Sequence, residues 1–259
     1  MRTAGIENGD ILLIHSSLKS FGNVIGGAPA VINAAMEVIG EDGTLVFPTL
    51  VQKDFRNAYK NWNVETTPSD VGFITETFRK TEGVMRSDQA THSVAAIGKL
   101  AVYLTSEHTA YGPRMGVFGD YAFSHSSPWQ RMYFEGAKIL FIGVNTVYNT
   151  FKHFVEYRFV EYLLNSIKDE RKRSAAMSEL AVFGRSDWPG GIWPFHDSGK
   201  TEIYLEEHGM IKHSVCGNSN FICIKANEYV DAVTELFKTE PENWLNLEVN
   251  DFIIKYKNK

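Results

Sequence analysis

The chain has 259 residues, of which 44% are apolar and 22% charged, which is long and apolar enough to bury a core and argues against intrinsic disorder. Its formal charge is −5 and its pI near 5.9, and its one basic run, K-D-E-R-K-R at 168–173, reads as a solvated helix end, so a nucleic-acid or anionic-membrane surface finds no support. No stretch is long enough to span a bilayer and M-R-T-A-G-I-E-N-G-D lacks the apolar core of a secretion signal, so a soluble, cytoplasmic protein is expected.

D-I-L-L-I-H at 10–15 is a short apolar block opened by Gly-Asp, and G-T-L-V-F-P at 43–48 is a second bounded by Gly and Pro; both predict buried strands. Between them, 26–40 predicts a helix with Pro29 in its first turn and Gly40 at its C-terminus, giving a β-α-β unit. Pro68-Ser69-Asp70 starts a second helix in which Phe73, Ile74 and Phe78 face away from Glu76 and Arg79. V-A-A-I-G after Ser93 predicts a strand, S-P-W-Q-R-M at 127–132 a short Pro-led helix, and K-I-L-F-I-G-V at 138–144 a buried strand. That strand leads into V-N-T-V-Y-N-T-F-K-H-F-V-E-Y, where Asn149 or Thr150 caps a helix carrying His153 and Glu156.

Beyond this helix, R-S-D-W-P-G-G-I-W-P-F-H-D-S-G-K at 185–200 is too irregular for one element. Strands at 211–216 and 220–224 flank G-N-S-N, and a helix over 226–238 has Asn227 as its cap. Cys216 and Cys223 match no zinc or redox spacing and read as reduced hairpin residues. The alternation predicts a layered α/β/α fold with a mixed, mainly parallel sheet and an antiparallel edge from the late hairpin. A single domain over 1–259 is expected, with an irregular substrate-side insertion at about 169–200.

Three segments carry candidate chemistry. H-S-S-L-K-S-F-G-N-V-I-G-G at 15–27 joins a strand end to a helix start and suits phosphate oxygens, or a plain loop; it is neither a Walker A nor a dinucleotide fingerprint. Arg86, Ser87, His92 and Ser93 can complete an anion site, although a structural ion pair for Arg86 and a structural role for His92 fit equally. His153 and Glu156 share a helix face one turn from its start. The helix dipole favours a neutral, proton-accepting imidazole, and the carboxylate can orient it. H-x-x-E supplies only two metal ligands, and no G-x-S-x-G elbow is present.

Taken in order, G-D-I-L-L-I-H-S-S-L-K-S-F-G with V-I-G-G, D-G-T-L-V-F-P-T, G-F-I-T-E-T-F-R, R-S-x-x-x-T-H-S-V-A-A-I-G, S-P-W-Q-R-M, I-L-F-I-G-V and N-T-x-x-H-x-x-E resemble the aminoglycoside 3-N-acetyltransferase family. The resemblance implies acetyl-CoA as cosubstrate, no metal, and direct acetyl transfer to a primary amine of an amino sugar. It implies that Ser16, Ser17, Arg86, Ser87, His92 and Ser93 line the CoA side. His153 becomes the general base with Glu156 beside it, and Thr150 lies near the acetyl group. Gln89-Ala90 stands where relatives often carry His-Pro, and the span 106–127 is longer than usual.

Acceptor identity rests on charge, since an aminoglycoside is a polycation wanting carboxylates and a nucleotide-linked amino sugar is an anion wanting Arg, Lys and aromatic rings. Phe151, Phe154, Tyr157 and Phe159 stand beside Lys152 and Arg158, and the insertions add Tyr111, Arg114, Tyr121, Arg185, Trp188 and Trp193. Most of the helix aromatics read as core, but Glu156 and Glu161 point about 140° apart, so no acidic cluster forms. The expectation is a nucleotide-linked amino sugar of surface-polysaccharide synthesis, the alternatives being an aminoglycoside or a non-catalytic CoA-binding protein. The expected partners are this small molecule, with no nucleic acid or membrane and with room for a homodimer.

Overall fold

The computed structural model describes residues 1–53, 55–183 and 193–257. In chain order the elements are β1 (Ile11–Ser16), α1 (Gly27–Ile39), β2 (Thr44–Pro48), α2 (Phe55–Asn61), α3 (Phe73–Arg79), β3 (Met85–Arg86), β4 (Val94–Gly98), α4 (Ala101–Thr105), α5 (Pro128–Phe134), β5 (Lys138–Ile142), α6 (Phe151–Ser166), α7 (Glu170–Phe183), α8 (Ser198–Glu207), β6 (Lys212–Cys216), β7 (Ser219–Lys225), α9 (Ala226–Thr239), α10 (Pro241–Trp244) and α11 (Leu247–Lys257). The strands form one seven-stranded sheet in the order β3-β4-β2-β1-β5-β7-β6. Its centre, β2-β1-β5, is parallel, and antiparallel pairs flank it: β4 and β3 on one side, β7 and β6 on the other.

Period-two alternation along the central strands gives the sheet two apolar faces. Leu12, Ile14, Leu45, Phe47, Leu140 and Ile142 pack with α1 and α3, where α1 offers the stripe Ala28, Val31, Ile32, Ala35 and Ile39. Leu13, Val46, Ile139 and Phe141 face the other way, towards α5, α6 and α9. Withdrawing one such large side chain from water contributes about 1.5–3 kcal/mol, and the two faces together make the three layers. Within the second layer α6 is buried on several sides, through Phe151, Phe154, Val155, Tyr157, Phe159 and Val160, so it forms the layer's central helix.

Some local expectations differ from the structure. Asn227 lies inside α9, where its Oδ1 accepts the Glu228 N–H at 2.9 Å, and Lys225 holds the cap position. Phe73 is 70% exposed although Ile74 and Phe78 are buried. It opens α3, and a first-turn side chain leans back past the helix start. The stretch at about 169–200 carries α7 and the start of α8; residues 184–192, with Arg185 and Trp188, lie outside the described residues. Cys216 and Cys223 are free and sit on the β6–β7 hairpin. Among the described residues no helix is long and apolar enough to cross a membrane.

Candidate active site

The carboxyl ends of β1, β2 and β5 open on one side of the sheet, the place where parallel α/β sheets leave a crevice. There the loops after these strands, the loop into α3 and the turn before β4 enclose a cleft of about 1230 Å³. It is lined by His15, Ser16 and Ser17 from β1 and the following turn, by the apolar Pro48, Leu50, Val51 and Val144, and by Thr150 and His153 of the α6 entry. Gly143 lets β5 turn into that entry: its φ is +62°, and a Cβ there would fall 1.9 Å from Ser20 Oγ.

Of the two expected caps, Asn149 makes the bond, its Oδ1 accepting the Phe151 N–H at 3.0 Å. Thr150 occupies the cap position without a side-chain bond and its residue faces the cleft. His153 follows within the first turn. Its Nδ1–H donates to Glu156 Oε2 at 2.8 Å, which leaves the lone pair on Nε2. Burial lowers the pKa of His153, against the opposing pull of Glu156, so the ring is neutral at neutral pH.

Glu156 is fully buried and joins two imidazoles. Its Oε1 accepts the Phe195 N–H at 2.8 Å and His196 Nδ1–H at 3.1 Å. Burial by itself pushes this carboxyl up, but the hydrogen bonds from His153 and His196 bring it down to about 2. The carboxylate is therefore ionised, acceptor-only, and supplied with donors on both oxygens.

Of the residues expected on the cosubstrate side, Ser16, Ser17 and His92 line the cleft. Arg86, Ser87 and Ser93 do not, and their polar groups are engaged elsewhere. Arg86 donates to the main-chain oxygens of Thr49, Val64 and Thr67 and to the Ser93 and Thr49 hydroxyls, with its guanidinium 4.3 Å from the Trp62 ring centre. Ser87 Oγ accepts the Val94 N–H and bonds His108 Nδ1, and Ser93 Oγ donates to Thr49 O at 3.0 Å. These bonds satisfy a buried turn, which is a structural task.

Sequence reasoning missed three contributors. His196 stands in the segment read as irregular, although Asp197-Ser198 in the same segment is a helix-start signal, and Asp197 does cap α8. Lys19 and Lys53 line the cleft from two different loops and suit phosphate oxygens, while the apolar walls suit an uncharged pantetheine arm. His15, also on the lining, is buried, stacks on Phe141 with ring centres 5.3 Å apart and is pushed down to about 3 by burial, with Lys152 adding to the effect. Among the described residues no group of three or more His, Cys, Asp or Glu side chains could hold a metal ion.

Comparison with known proteins agrees with the fold and the family. The chain is 28% identical over 179 residues to the SPbeta prophage-derived aminoglycoside N(3')-acetyltransferase-like protein YokD of Bacillus subtilis, which covers 61% of this chain and 62% of that protein. It is 27% identical over 200 residues to aminoglycoside N(3)-acetyltransferase III of Serratia marcescens, covering 71% and 69%. The crystal structure of YokD superposes with a TM-score of 0.68 at 22% identity over 93% of this chain and 91% of that one. AAC-IIIb, solved as a binary complex with CoASH, superposes with a TM-score of 0.65 at 18% identity over 92% and 93%. At these identities the superpositions speak for the fold. The family described as Aminoglycoside 3-N-acetyltransferase matches residues 13–238, most of the chain and every element that builds the cleft, and the chain belongs to that family.

Proposed function

We propose that the protein moves the acetyl group of acetyl-CoA directly onto a primary amine of an aminoglycoside, with His153 as general base. The observation that carries this reading is the His153–Glu156 pair, whose imidazole lines the cleft, with Nδ1 engaged at 2.8 Å and the lone pair left on Nε2. An ammonium cannot attack a thioester, so the acceptor first releases one proton to water and reacts as the neutral amine; as its nitrogen attacks, His153 Nε2 takes a second proton from it, and Glu156 stabilises the imidazolium that results. The same imidazolium returns the proton to the departing sulfur. Ser16, Ser17 and His92 stand on the cosubstrate side, Thr150 stands near the acetyl group, and positioning both substrates in one cleft supplies much of the acceleration.

The family and the names of the relatives favour an aminoglycoside acceptor. A nucleotide-linked amino sugar finds no support among them, and most of the residues that suggested it have other tasks. Arg114 is buried against Glu161 at 2.7 Å, Arg158 lies over the Tyr133 ring at 4.3 Å, and Phe151, Phe154, Tyr157, Phe159 and Trp193 are core. Purified protein with acetyl-CoA and a panel of aminoglycosides is expected to release CoA thiol, and His153→Ala to abolish the release. Turnover retained by His153→Ala overturns the mechanism. Thermal stabilisation by acetyl-CoA without acetylation of any amine identifies a non-catalytic CoA-binding protein instead.

A further inference from the structure

The cleft holds a second imidazole that general-base chemistry does not use. His92 is almost completely buried yet lines the cleft, and it is fixed on several sides. Its main-chain N–H donates to Gln89 Oε1, and its main-chain oxygen accepts Trp129 Nε1–H at 2.9 Å. Its ring lies between Phe118 and Phe123, each centre 4.6 Å away. The His153 ring stands 6.0 Å from it, centre to centre, at 81°. Burial holds His92 well below the usual imidazole range, so it is neutral and has one N–H.

Which nitrogen carries that proton turns on the Thr91 hydroxyl. Nδ1 has Thr91 Oγ1 at 3.0 Å. The Thr91 hydroxyl has one proton and four acceptors in reach: Nδ1, Phe118 O at 3.1 Å, Gln89 Oε1 at 3.3 Å and the Tyr59 hydroxyl at 3.5 Å, which spends its own proton on Phe118 O. Phe118 O already accepts the Tyr59 hydroxyl at 2.7 Å, Gln89 Oε1 accepts the His92 N–H, and Thr91 Oγ1 itself accepts Gln89 Nε2–H at 3.2 Å. Phe118 O and Gln89 Oε1 each have a donor already, whereas a bare Nδ1 has only this hydroxyl; with the Thr91 proton given to Nδ1, the ring proton sits on Nε2. His92 lines the cleft, and with Nδ1 engaged by Thr91, Nε2 is the ring nitrogen left to meet a ligand.

We propose that His92 is a second catalytic imidazole, whose Nε2–H donates to the thioester oxygen as that oxygen becomes an oxyanion. This inference rests on the acetyl-transfer reading above. The amine nitrogen attacks the thioester carbon and forms the C–N bond, while the carbonyl π pair moves onto oxygen and is stabilised by His92. His153 Nε2 accepts the proton from nitrogen. The oxygen pair then re-forms the carbonyl, the C–S bond breaks, and His153 passes its proton to the CoA sulfur; His92 ends as it began. Thr91 is a positioning residue, because its hydroxyl fixes the tautomer.

Nitrogen NMR of the 15N-histidine-labelled protein is expected to show His92 with Nε2 protonated and Nδ1 bare. His92→Ala is expected to lower kcat about 10²–10³-fold, the usual cost of one oxyanion donor, with KM for acetyl-CoA changed by no more than about threefold. His92→Gln, which keeps a side-chain N–H, should recover at least about tenfold over the alanine variant. Thr91→Val should lower kcat and mix the His92 tautomers, and Thr91→Ser should restore both. A wild-type protein with the proton on Nδ1, or an alanine variant altered only in KM, overturns the inference while leaving acetyl transfer intact. A wild-type protein that releases no thiol with any aminoglycoside overturns both.

Discussion

Glu156→Gln changes one atom of a group whose two oxygens are both engaged: Oε2 by His153 at 2.8 Å, Oε1 by the Phe195 N–H at 2.8 Å and His196 at 3.1 Å. Glutamine keeps one oxygen and adds two donors. If that oxygen faces Phe195 and His196, the amide faces His153 and turns Nδ1 into an acceptor. The ring proton then moves to Nε2, the nitrogen that has to be bare to act as base. If the amide is flipped, it faces the Phe195 N–H and leaves a buried donor unsatisfied, at about 1–3 kcal/mol. Loss of general-base catalysis costs about 10²–10⁴ in rate, equivalent to about 3–5 kcal/mol of barrier. The variant is therefore expected to lose about 10²–10⁴ in kcat with KM for acetyl-CoA nearly unchanged, and Tm should drop about 2–4 °C for each kcal/mol lost. Thiol release under saturating substrates and a thermal melt measure the two effects. A kcat within about fivefold of the wild type would mean that Glu156 does not set the tautomer of His153.

Acid should unfold the protein early. His15 and His108 are buried and held at about 3 against about 6.5 when unfolded; between those values the unfolded state binds more protons, so stability falls as pH drops through that window. At pH 4.5 the pair costs about 5 kcal/mol relative to pH 7, and urea titrations whose midpoint stays level from pH 7 to 4.5 would contradict this. Gly116→Ala would put a Cβ 2.1 Å from Tyr157 Cζ, and such overpacking costs about 1–3 kcal/mol. Because Tyr157 holds the Phe118 N–H at 2.8 Å and Phe118 packs on His153 at 4.7 Å, kcat should fall with Tm; a variant with normal Tm and kcat refutes the packing argument. Lys19→Ala and Lys53→Ala should each raise KM for acetyl-CoA about three- to tenfold, the range of one partly exposed charge on phosphate, leave kcat unchanged, and lose their effect in high salt.

Much of the scaffold is legible because its signals are local. The β1-α1-β2 unit is written in two apolar blocks and a helical stripe between Gly and Gly, and the Asn149 cap, the His153–Glu156 spacing and the α5 entry at Ser127-Pro128 are each readable within a few residues. The direction of β4 is not, since V-A-A-I-G has the same apolar pattern whether it runs with β2 or, as here, against it. Arg86 misleads for a related reason: its partners are the carbonyls of Thr49, Val64 and Thr67, which every sequence possesses and no motif announces. His196 lies 40 residues from Glu156 in a segment without periodicity, so nothing local ties the two together.

Glu156 is hard to explain as a stabilising element. Burying a carboxylate costs several kcal/mol, and replacing a buried charged cluster by apolar side chains of similar size is often neutral or stabilising. Its two imidazole partners themselves pack on aromatic carbon, His153 on Phe118 and His196 on Phe237, so the surroundings could accommodate apolar side chains. The chain instead supplies a main-chain N–H and two imidazoles to keep one ionised group in the middle of its second layer. What that arrangement secures is the direction of one proton: with Glu156 charged, Nδ1 of His153 has to donate and Nε2 has to accept. A carboxylate three residues along the same helix does this more rigidly than a loop residue could, because the helix fixes both Cα positions. On the proposed mechanism the carboxylate and the base nitrogen lie at opposite ends of one imidazole, so apolar replacement of Glu156 together with His196 is expected to leave Tm unchanged or raised while turnover is lost, and a variant that keeps its turnover would refute the argument.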